Sequence, residues 1–541
     1  MRDVSRAQTL PSGWLGFILT ALILAAVLLT SHVSRNSNSV ATVLLNSSPT
    51  YTAGSSTHKG AYLLQFLNSH YSMEHAWNYC WMESSYFLNN PTPADPQRTT
   101  LSQFEKVVVP GQLVTWRLDT FDSTGKPLGT GGDAISVVIQ GPSLLRPAVY
   151  DLRNGTYLVA FSLIDEGSYT ADISMRWQSC FAYAFCNVNH TQQPISQIKR
   201  LEFFVQQLRK DEIITTREIT FLGSGRWVDK ALVPKDATAL LENSLLKGPF
   251  IWLPFNGKKL RVFPTINLRN KWIYIIGDSL SEHAFDEMLE TVFKEKCGGG
   301  HGPNTKNESP VHVLINRYDG KRMEEQWKRD GMQLYHCPSL NLTFSFVFYP
   351  DSFPVGGYKN TRFPLINEED NSIAAASNVT FKVPEWTTYL KAAMKKHPGV
   401  PSHTFPDAVV FNFGLHFATP LDPPLYTVLL RHMLMMLREQ FPSGSRTKFL
   451  WRSTAWTHFE KEKMALKWNC RTPIRTQIMN EISNKLVDAM GTGVDGIVDF
   501  QELTAARADA TPDNRHFSDG NIRATFNNLL LNKLNDVLPV T

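Results

Sequence analysis

The chain has 541 residues, 43% of them hydrophobic and 19% charged, which is enough apolar material for about two to four folded domains and excludes a disordered polymer. Its net charge of +5 comes from dispersed Lys and Arg, without the basic stripe that a phosphate backbone needs. Nucleic acid is therefore excluded as a partner.

In chain order, the first element is an apolar run from Trp14 to Thr30, with Arg2 and Arg6 before it and His32 and Arg35 after it. Its length is at the short end of a membrane span and beyond most signal-peptide cores, and no Ala-x-Ala cleavage site follows. The expectation is a signal-anchor helix over residues 14–32, with a cytoplasmic tail over 1–13 and a lumenal bulk. A cleaved signal peptide, and hence a secreted protein, is the alternative. Residues 33–60, rich in Ser, Thr and Asn, read as a stem. Six glycosylation sequons, at Asn46, Asn154, Asn189, Asn307, Asn341 and Asn378, all follow the anchor. Six cysteines (Cys80, Cys180, Cys186, Cys297, Cys337 and Cys470) suit an oxidising lumen. Three fall in each half, which implies an interdomain bridge or a free thiol. Cys297–Cys337 and Cys180–Cys186 are the expected pairs. No cysteine spacing suits zinc, so no metal is expected.

Residues 61–222 are patterned for strands. Val114/Trp116/Leu118, Ile135/Val137/Ile139, Tyr157/Val159/Phe161/Leu163 and Tyr169/Ala171/Ile173/Met175/Trp177 alternate with polar residues, between turns such as Asn154-Gly155. Strands at that spacing predict an all-β, immunoglobulin-like sandwich. Residues 223–264, rich in Gly, Pro and Leu, are expected to be a linker. From 265 to 541 the pattern alternates. Strands are predicted at 272–276, 311–315, 342–349, 407–412, 447–452 and 494–500, and helices at 281–296, 384–396, 422–440, 471–490 and 521–537. That order predicts a parallel sheet with helices on both faces and a site at the carboxyl ends of its strands.

Two motifs bear chemistry. Gly277-Asp278-Ser279 lies between the apolar run 271–276 and a helix whose stripe is Leu280, Ala284/Phe285 and Met288/Leu289. A serine at such a corner either caps the helix or projects as a nucleophile beside backbone N–H groups. Near the other end, Asp513-Asn514-Arg515-His516 precedes the last helix. A hydroxyl needs a base, imidazole is suited to that work, and an Asp three residues earlier can fix the imidazole's tautomer. His283, one turn past Ser279, is expected on the helix surface.

Gly-Asp-Ser early and Asp-x-x-His late resemble the signature of the SGNH-hydrolase-like fold in its PC-esterase branch. The blocks Asp407–His416, Trp451-Arg452-Ser453-Thr454 with His458-Phe459, and Trp468-Asn469-Cys470 are similar to further blocks of that branch. One position departs: the Gly often found after the late Asp is Asn514 here. The β-rich half resembles a neurexophilin domain, and over roughly 60–541 the chain looks like a member of the neurexophilin and PC-esterase domain family. The resemblance implies a three-layer α/β SGNH-hydrolase-like domain behind a neurexophilin-like sandwich, with a Ser279, His516, Asp513 triad. It implies an oxyanion hole from the N–H of Ser279 with Asn412 and Gly414. Arg452 is the expected partner for a substrate carboxylate. His416 reads either as a substrate contact or as a structural histidine. The implied activity is Golgi-lumenal carbohydrate O-acetyl transfer, with sialic acids of glycoproteins as acceptor and acetyl-CoA as donor, which would need a separate transporter. Two alternatives stay open: a lumenal glycan O-acetyl esterase, and a secreted or surface ligand carrying an inactive esterase scaffold.

Overall fold

The computed structural model describes residues 56–82, 93–178, 180, 182–183, 196–207, 225–233, 248–254, 268–290, 297, 311–316, 331–348, 386–397, 400–415, 423–458, 472–489, 494–517 and 520–539. The chain forms two compact units, Met1–Ser72 and Met73–Thr541. In the first, helix α1 (Ser56–His70) begins inside the expected stem. Leu64 and Leu67, three residues apart and both buried, give it one apolar stripe, so residues 56–60 are helical where a stem was expected. The Trp14–Thr30 run lies outside the described residues. Among those described, no helix is long and apolar enough to cross a membrane.

The second unit opens with helix α2 (Met73–Met82) and continues as a two-sheet sandwich. One sheet has the order β1 (Thr100–Ser102), β3 (Val114–Asp119), β7 (Thr156–Phe161), β6 (Ala148–Asp151). The other has the order β2 (Val107–Val108), β9 (Ser196–Val205), β8 (Gly167–Trp177), β4 (Ala134–Gln140). The period-2 pattern does the work here. Val114, Trp116 and Leu118 point inward from β3 and share one core with Val137 and Ile139 of β4 and Ile173 of β8. Trp116 meets Phe161 at 4.7 Å and Phe203 at 5.6 Å between ring centroids, both edge-on. Burying each such side chain contributes about 1.5–3 kcal/mol.

The expected linker is not one. Strands β10 (Gly225–Asp229) and β11 (Phe250–Pro254) lie within 223–264 and form an antiparallel sheet with β5 (Ser143–Leu144), in the order β11-β10-β5. Trp227 and Trp252 supply the reason: both are buried, with ring centroids 5.6 Å apart, in the apolar core of the α/β half. A segment that buries two tryptophans gains too much to stay extended in water.

The Cys180–Cys186 pairing is also corrected, since Cys180 bonds Cys80, with 5.5 Å between their Cα atoms. Cys180 follows β8 in a left-handed turn (φ 66°), its N–H donating to Gly132 O. That turn brings it within disulfide reach of α2. Cys297 bonds Cys337 as expected. Cys186 and Cys470 lie outside the described residues.

The α/β half is a seven-stranded sheet in the order β13 (Val311–Asn316), β14 (Gly331–Cys337), β15 (Leu342–Phe348), β12 (Trp272–Gly277), β16 (Ala408–Phe411), β17 (Lys448–Arg452), β18 (Gly496–Val498). From β15 to β18 it is parallel. The remaining edge is not: β13–β14 and β14–β15 are antiparallel, which makes the sheet mixed. Strand β14 was not foreseen. A tight turn through Pro338–Leu340, closed by Asn341 at φ 48°, joins it to β15, and so short a connection permits only an antiparallel pair.

Strand β12 shows why the half has three layers. Trp272, Tyr274 and Ile276 face α4 (Trp386–Lys396), α5 (Pro423–Gln440) and α6 (Pro473–Ala489), in a core with Leu390, Leu430 and Ile478. Ile273 and Ile275 face α3 (Ser279–Met288) and α8 (Gly520–Val537), in a core with Leu280, Phe285 and Leu530. Short helix α7 (Phe500–Ala505) follows β18.

Candidate active site

Strand β12 stops at Gly277 because a side chain there has no room: a Cβ would lie 2.1 Å from Ser281 Oγ. Asp278 then caps α3. Its carboxylate accepts from the N–H of Leu280 (3.1 Å) and of Ser281 (3.3 Å), and its carbonyl accepts from Glu282. The N–H of Ser279, first in the helix, is left without an intrahelical acceptor. Ser279 is 7% exposed.

The late loop reaches this corner. Ser279 Oγ lies 2.9 Å from His516 Nε2, and His516 Nδ1 lies 2.6 Å from Asp513 Oδ2. The other oxygen of Asp513 accepts from the backbone N–H groups of His516 (2.7 Å) and Arg515 (3.1 Å). Burial disfavours charge on Asp513, but the hydrogen bonds from the His516 ring, its backbone N–H and that of Arg515 outweigh it and hold the carboxyl well below the usual range. An ionised carboxylate only accepts, so Nδ1 carries the ring proton, and Nε2 is the acceptor for the serine O–H. Asn514 takes φ 65°, a left-handed conformation that Asn tolerates better than most residues with a Cβ, and its carbonyl accepts from His458 N–H. Serine, histidine and aspartate are thus joined in one hydrogen-bonded chain.

Three other expected residues are placed differently. Arg452 does not face solvent. It is 1% exposed, with Nη2 donating to Asp278 Oδ1 (2.9 Å) and to Asn412 Oδ1 (2.7 Å) and its guanidinium 5.3 Å from the Phe500 ring centroid. Strand β17 ends beside β16 with this side chain directed back under the corner, so it braces Asp278 and does not present itself to a substrate carboxylate. Burial lowers its pKa, and the Asp278 charge opposes that.

Asn412 does not aim its amide at an oxyanion. Nδ2 donates to Arg452 O (2.7 Å) and Thr454 Oγ1 (3.1 Å), which uses both protons. Gly414 N–H makes a long contact (3.4 Å) with Asn412 Oδ1, and its Cβ, were there one, would fall 1.5 Å from Thr454 Oγ1. Glycine is therefore required there for space, whatever its N–H does. His416 lies outside the described residues. His283 is half-buried, its ring centroid 5.4 Å from that of His516.

Asp278 was missed as a residue with a role of its own, although its place before the helix is the usual one for a capping aspartate. Ser453 was missed too: its hydroxyl accepts from the N–H of Phe500 and Gln501 and donates to Asp499. Of the sequons, Asn154 is exposed and Asn341 half-buried, and Asn46, Asn189, Asn307 and Asn378 lie outside the described residues.

No protein-family model matches the chain. Among curated proteins, the E3 ubiquitin-protein ligase TRIM71 of Gallus gallus is 35% identical over 72 residues, a stretch that is 13% of this chain and spans only 8% of that relative. Among solved structures, a peptidoglycan O-acetylesterase covers 52% of this chain and 95% of its own, at 11% identity and a TM-score of 0.27. A family two carbohydrate esterase from Cellvibrio japonicus covers 82% of this chain and 97% of its own, at 11% identity and a TM-score of 0.24. The Lin-41 filamin domain covers 21% of this chain and 99% of its own, at 13% identity and a TM-score of 0.16. Likenesses at these scores assign no activity, and the chemistry rests on the geometry of Ser279, His516 and Asp513.

Proposed function

We propose that the chain is a serine-dependent enzyme that makes or breaks acetyl esters of carbohydrates. The observation that carries this is the hydrogen-bonded chain from Ser279 Oγ through the His516 imidazole to Asp513, at a strand–helix corner where the Ser279 N–H has no helical acceptor. His516 Nε2 takes the serine proton as Oγ attacks the acetyl carbonyl. The Asp513 carboxylate, held below its usual range, stabilises the imidazolium that forms. The Ser279 N–H, at the positive end of α3, meets the developing oxyanion. His516 then protonates the leaving group, and the acyl-serine passes its acetyl group to an acceptor hydroxyl. The acceptor is a sugar in a transferase and water in an esterase.

We favour transfer, with acetyl-CoA as donor and sialic acids of glycoproteins as acceptors in the Golgi lumen. The resemblance of the four sequence blocks to polysaccharide and sialic-acid O-acetyltransferases supports this, as does the apolar run 14–30 followed by sequons. Membership of the neurexophilin and PC-esterase domain family, with the sandwich as its neurexophilin-like part, belongs to the same reading. The test expresses wild-type and Ser279→Ala chains in cells lacking sialate O-acetyltransferase activity, and weighs released sialic acids by mass spectrometry. A gain of acetyl with the wild type alone supports transfer. Equal acetylation in both removes sialic acid as the acceptor; in cells that do O-acetylate their sialic acids, a loss with the wild type alone identifies an esterase.

A further inference from the structure

A cleft of about 300 Å³ opens between the sandwich and the α/β half, away from Ser279 and used by none of the chemistry above. One wall is β4 and β6, the other the start of α6 and helix α7. Its walls are fastened to each other. Arg146, from the sandwich, donates from Nε to Ala505 O (2.7 Å) across the gap and from Nη1 to Ser136 Oγ (2.8 Å) on its own side, and its guanidinium lies 5.4 Å from the Trp456 ring centroid. A cleft strutted in this way is preformed and needs no closure to bind. Its volume is that of a small-ligand site at the low end of the usual range.

The lining has two characters. Ile135, Val137, Pro147 and Ile474, with the indoles of Trp177 and Trp456, make an apolar wall. Set into it are the half-buried side-chain amides of Gln477 and Gln501, which have no hydrogen-bond partner among the described residues. Each offers donors and an acceptor to a ligand in the cleft. The charges are unequal: Asp133, Asp151, Asp499 and Glu502 line the cleft against Arg146 alone. A carboxylate- or phosphate-bearing ligand is repelled. A neutral ligand with one apolar face and several hydroxyls is not, because the hydroxyls donate to the carboxylates and exchange bonds with the amides. That description is a sugar ring.

Its position fits a use. Asp499 and Gln501 directly follow β18, and Trp456 follows β17, at the same carboxyl edge of the sheet from which Ser279 emerges after β12. Strands β17 and β18 are two and three places from β12, or laterally about 10–14 Å. One short oligosaccharide spans that interval.

We propose that this cleft binds a neutral sugar residue of the glycan whose acetyl-accepting or acetyl-bearing residue lies at Ser279. The proposal leans on the acetyl-ester reading only for the cleft's use, since binding there stands on the cleft's own groups. Binding is therefore read on the full chain carrying Ser279→Ala, with N-acetyllactosamine, 3′-sialyllactose and free sialic acid as probes, by saturation-transfer NMR and titration. The expected result is saturable binding of the two oligosaccharides, weakened at least about tenfold by Gln477→Ala with Gln501→Ala, where two or more hydrogen bonds are lost. Free sialic acid is expected to be insensitive to that pair of changes. Gln477→Glu, which adds a charge without removing bulk, should weaken a neutral sugar little and 3′-sialyllactose no more than that. No saturable binding of either oligosaccharide at millimolar concentration overturns the proposal, as does binding that ignores the glutamine changes. Failure of the acetyl-ester reading is a different result: wild-type chain inactive on every acetyl ester while these sugars still bind.

Discussion

Replacing Arg452 with Met separates two accounts of that residue. Arg452 and Asp278 form an ion pair at 2.9 Å, with side chains 2% and 5% exposed, and the same guanidinium nitrogen also holds Asn412. Removing the cation leaves the Asp278 carboxylate, which also accepts from the N–H groups of Leu280 and Ser281, in a buried site without its ion-pair partner, which costs about 3–5 kcal/mol. Asp278→Asn strands Arg452 in the same way but keeps a capping oxygen for α3. The double variant Asp278→Asn, Arg452→Met strands neither charge, so its loss should be smaller than that of either single variant. Thermal and urea unfolding of the four chains, at equal glycosylation, gives the coupling directly. Ester turnover should fall with Arg452→Met through a lower kcat, because the helix start that carries Ser279 is loosened, with KM little changed. Additive losses in the cycle would refute the buried-pair argument. A raised KM with unchanged kcat and stability would return Arg452 to contact with substrate.

Ser279→Ala and His516→Ala should each lower ester turnover by on the order of 10⁴-fold or more, with the double variant no worse than either single and Asp513→Asn retaining more activity than both. Single-turnover assays and labelling by a serine-directed fluorophosphonate check this, and label on a residue other than Ser279 would contradict it. Gly414→Ala should destabilise by about 1–3 kcal/mol, because its Cβ meets Thr454 Oγ1, and a further Thr454→Ala should recover part of that loss in thermal melts. Asp151 is raised to about 6, by burial first, with the N–H groups of Arg153 and Gly132 opposing. The folded chain thus holds this proton more tightly than the unfolded chain, so the stabilisation is full below about pH 4 and is lost as pH rises through about 6, roughly 3 kcal/mol in all. Melting curves from pH 4 to 7 should show that fall in the wild type and a flatter profile in Asp151→Asn.

Much of the fold was legible where one pattern decided it. The inward trio Val114, Trp116 and Leu118 showed the sandwich, and the run through β12 followed by the α3 stripe showed the corner that carries Ser279. What escaped depended on partners far away in sequence. Strand β10 is brief and reads as loop until Trp227 is seen to donate to Leu503 O, 276 residues on. Strand β14 owes its direction to the Pro338–Leu340 turn. Arg452 offered a free guanidinium on paper, and only the meeting of β17 with the cap of α3 shows it buried, with Nη2 bonded to Asp278 and Asn412. The Cys80–Cys180 bond joins residues 100 apart, a pairing that no local spacing marks.

The separation of Ser279 from His516, 237 residues along the chain, has a consequence for the order of events during synthesis. At about 5–20 residues per second, the base follows the nucleophile out of the ribosome by roughly 10–50 s. Strand β12 waits as well, since the carboxylate that holds the Trp272 N–H arrives 135 residues later with Asp407. The Cys297–Cys337 bond, closing only 40 residues, can form during that interval and tie the end of β14, which leads into β15, to the segment following α3 before β16 exists. The nascent chain therefore carries Ser279 without its base for much of its synthesis, and the hydrogen-bonded chain is complete only when the loop of Asp513 and His516 docks.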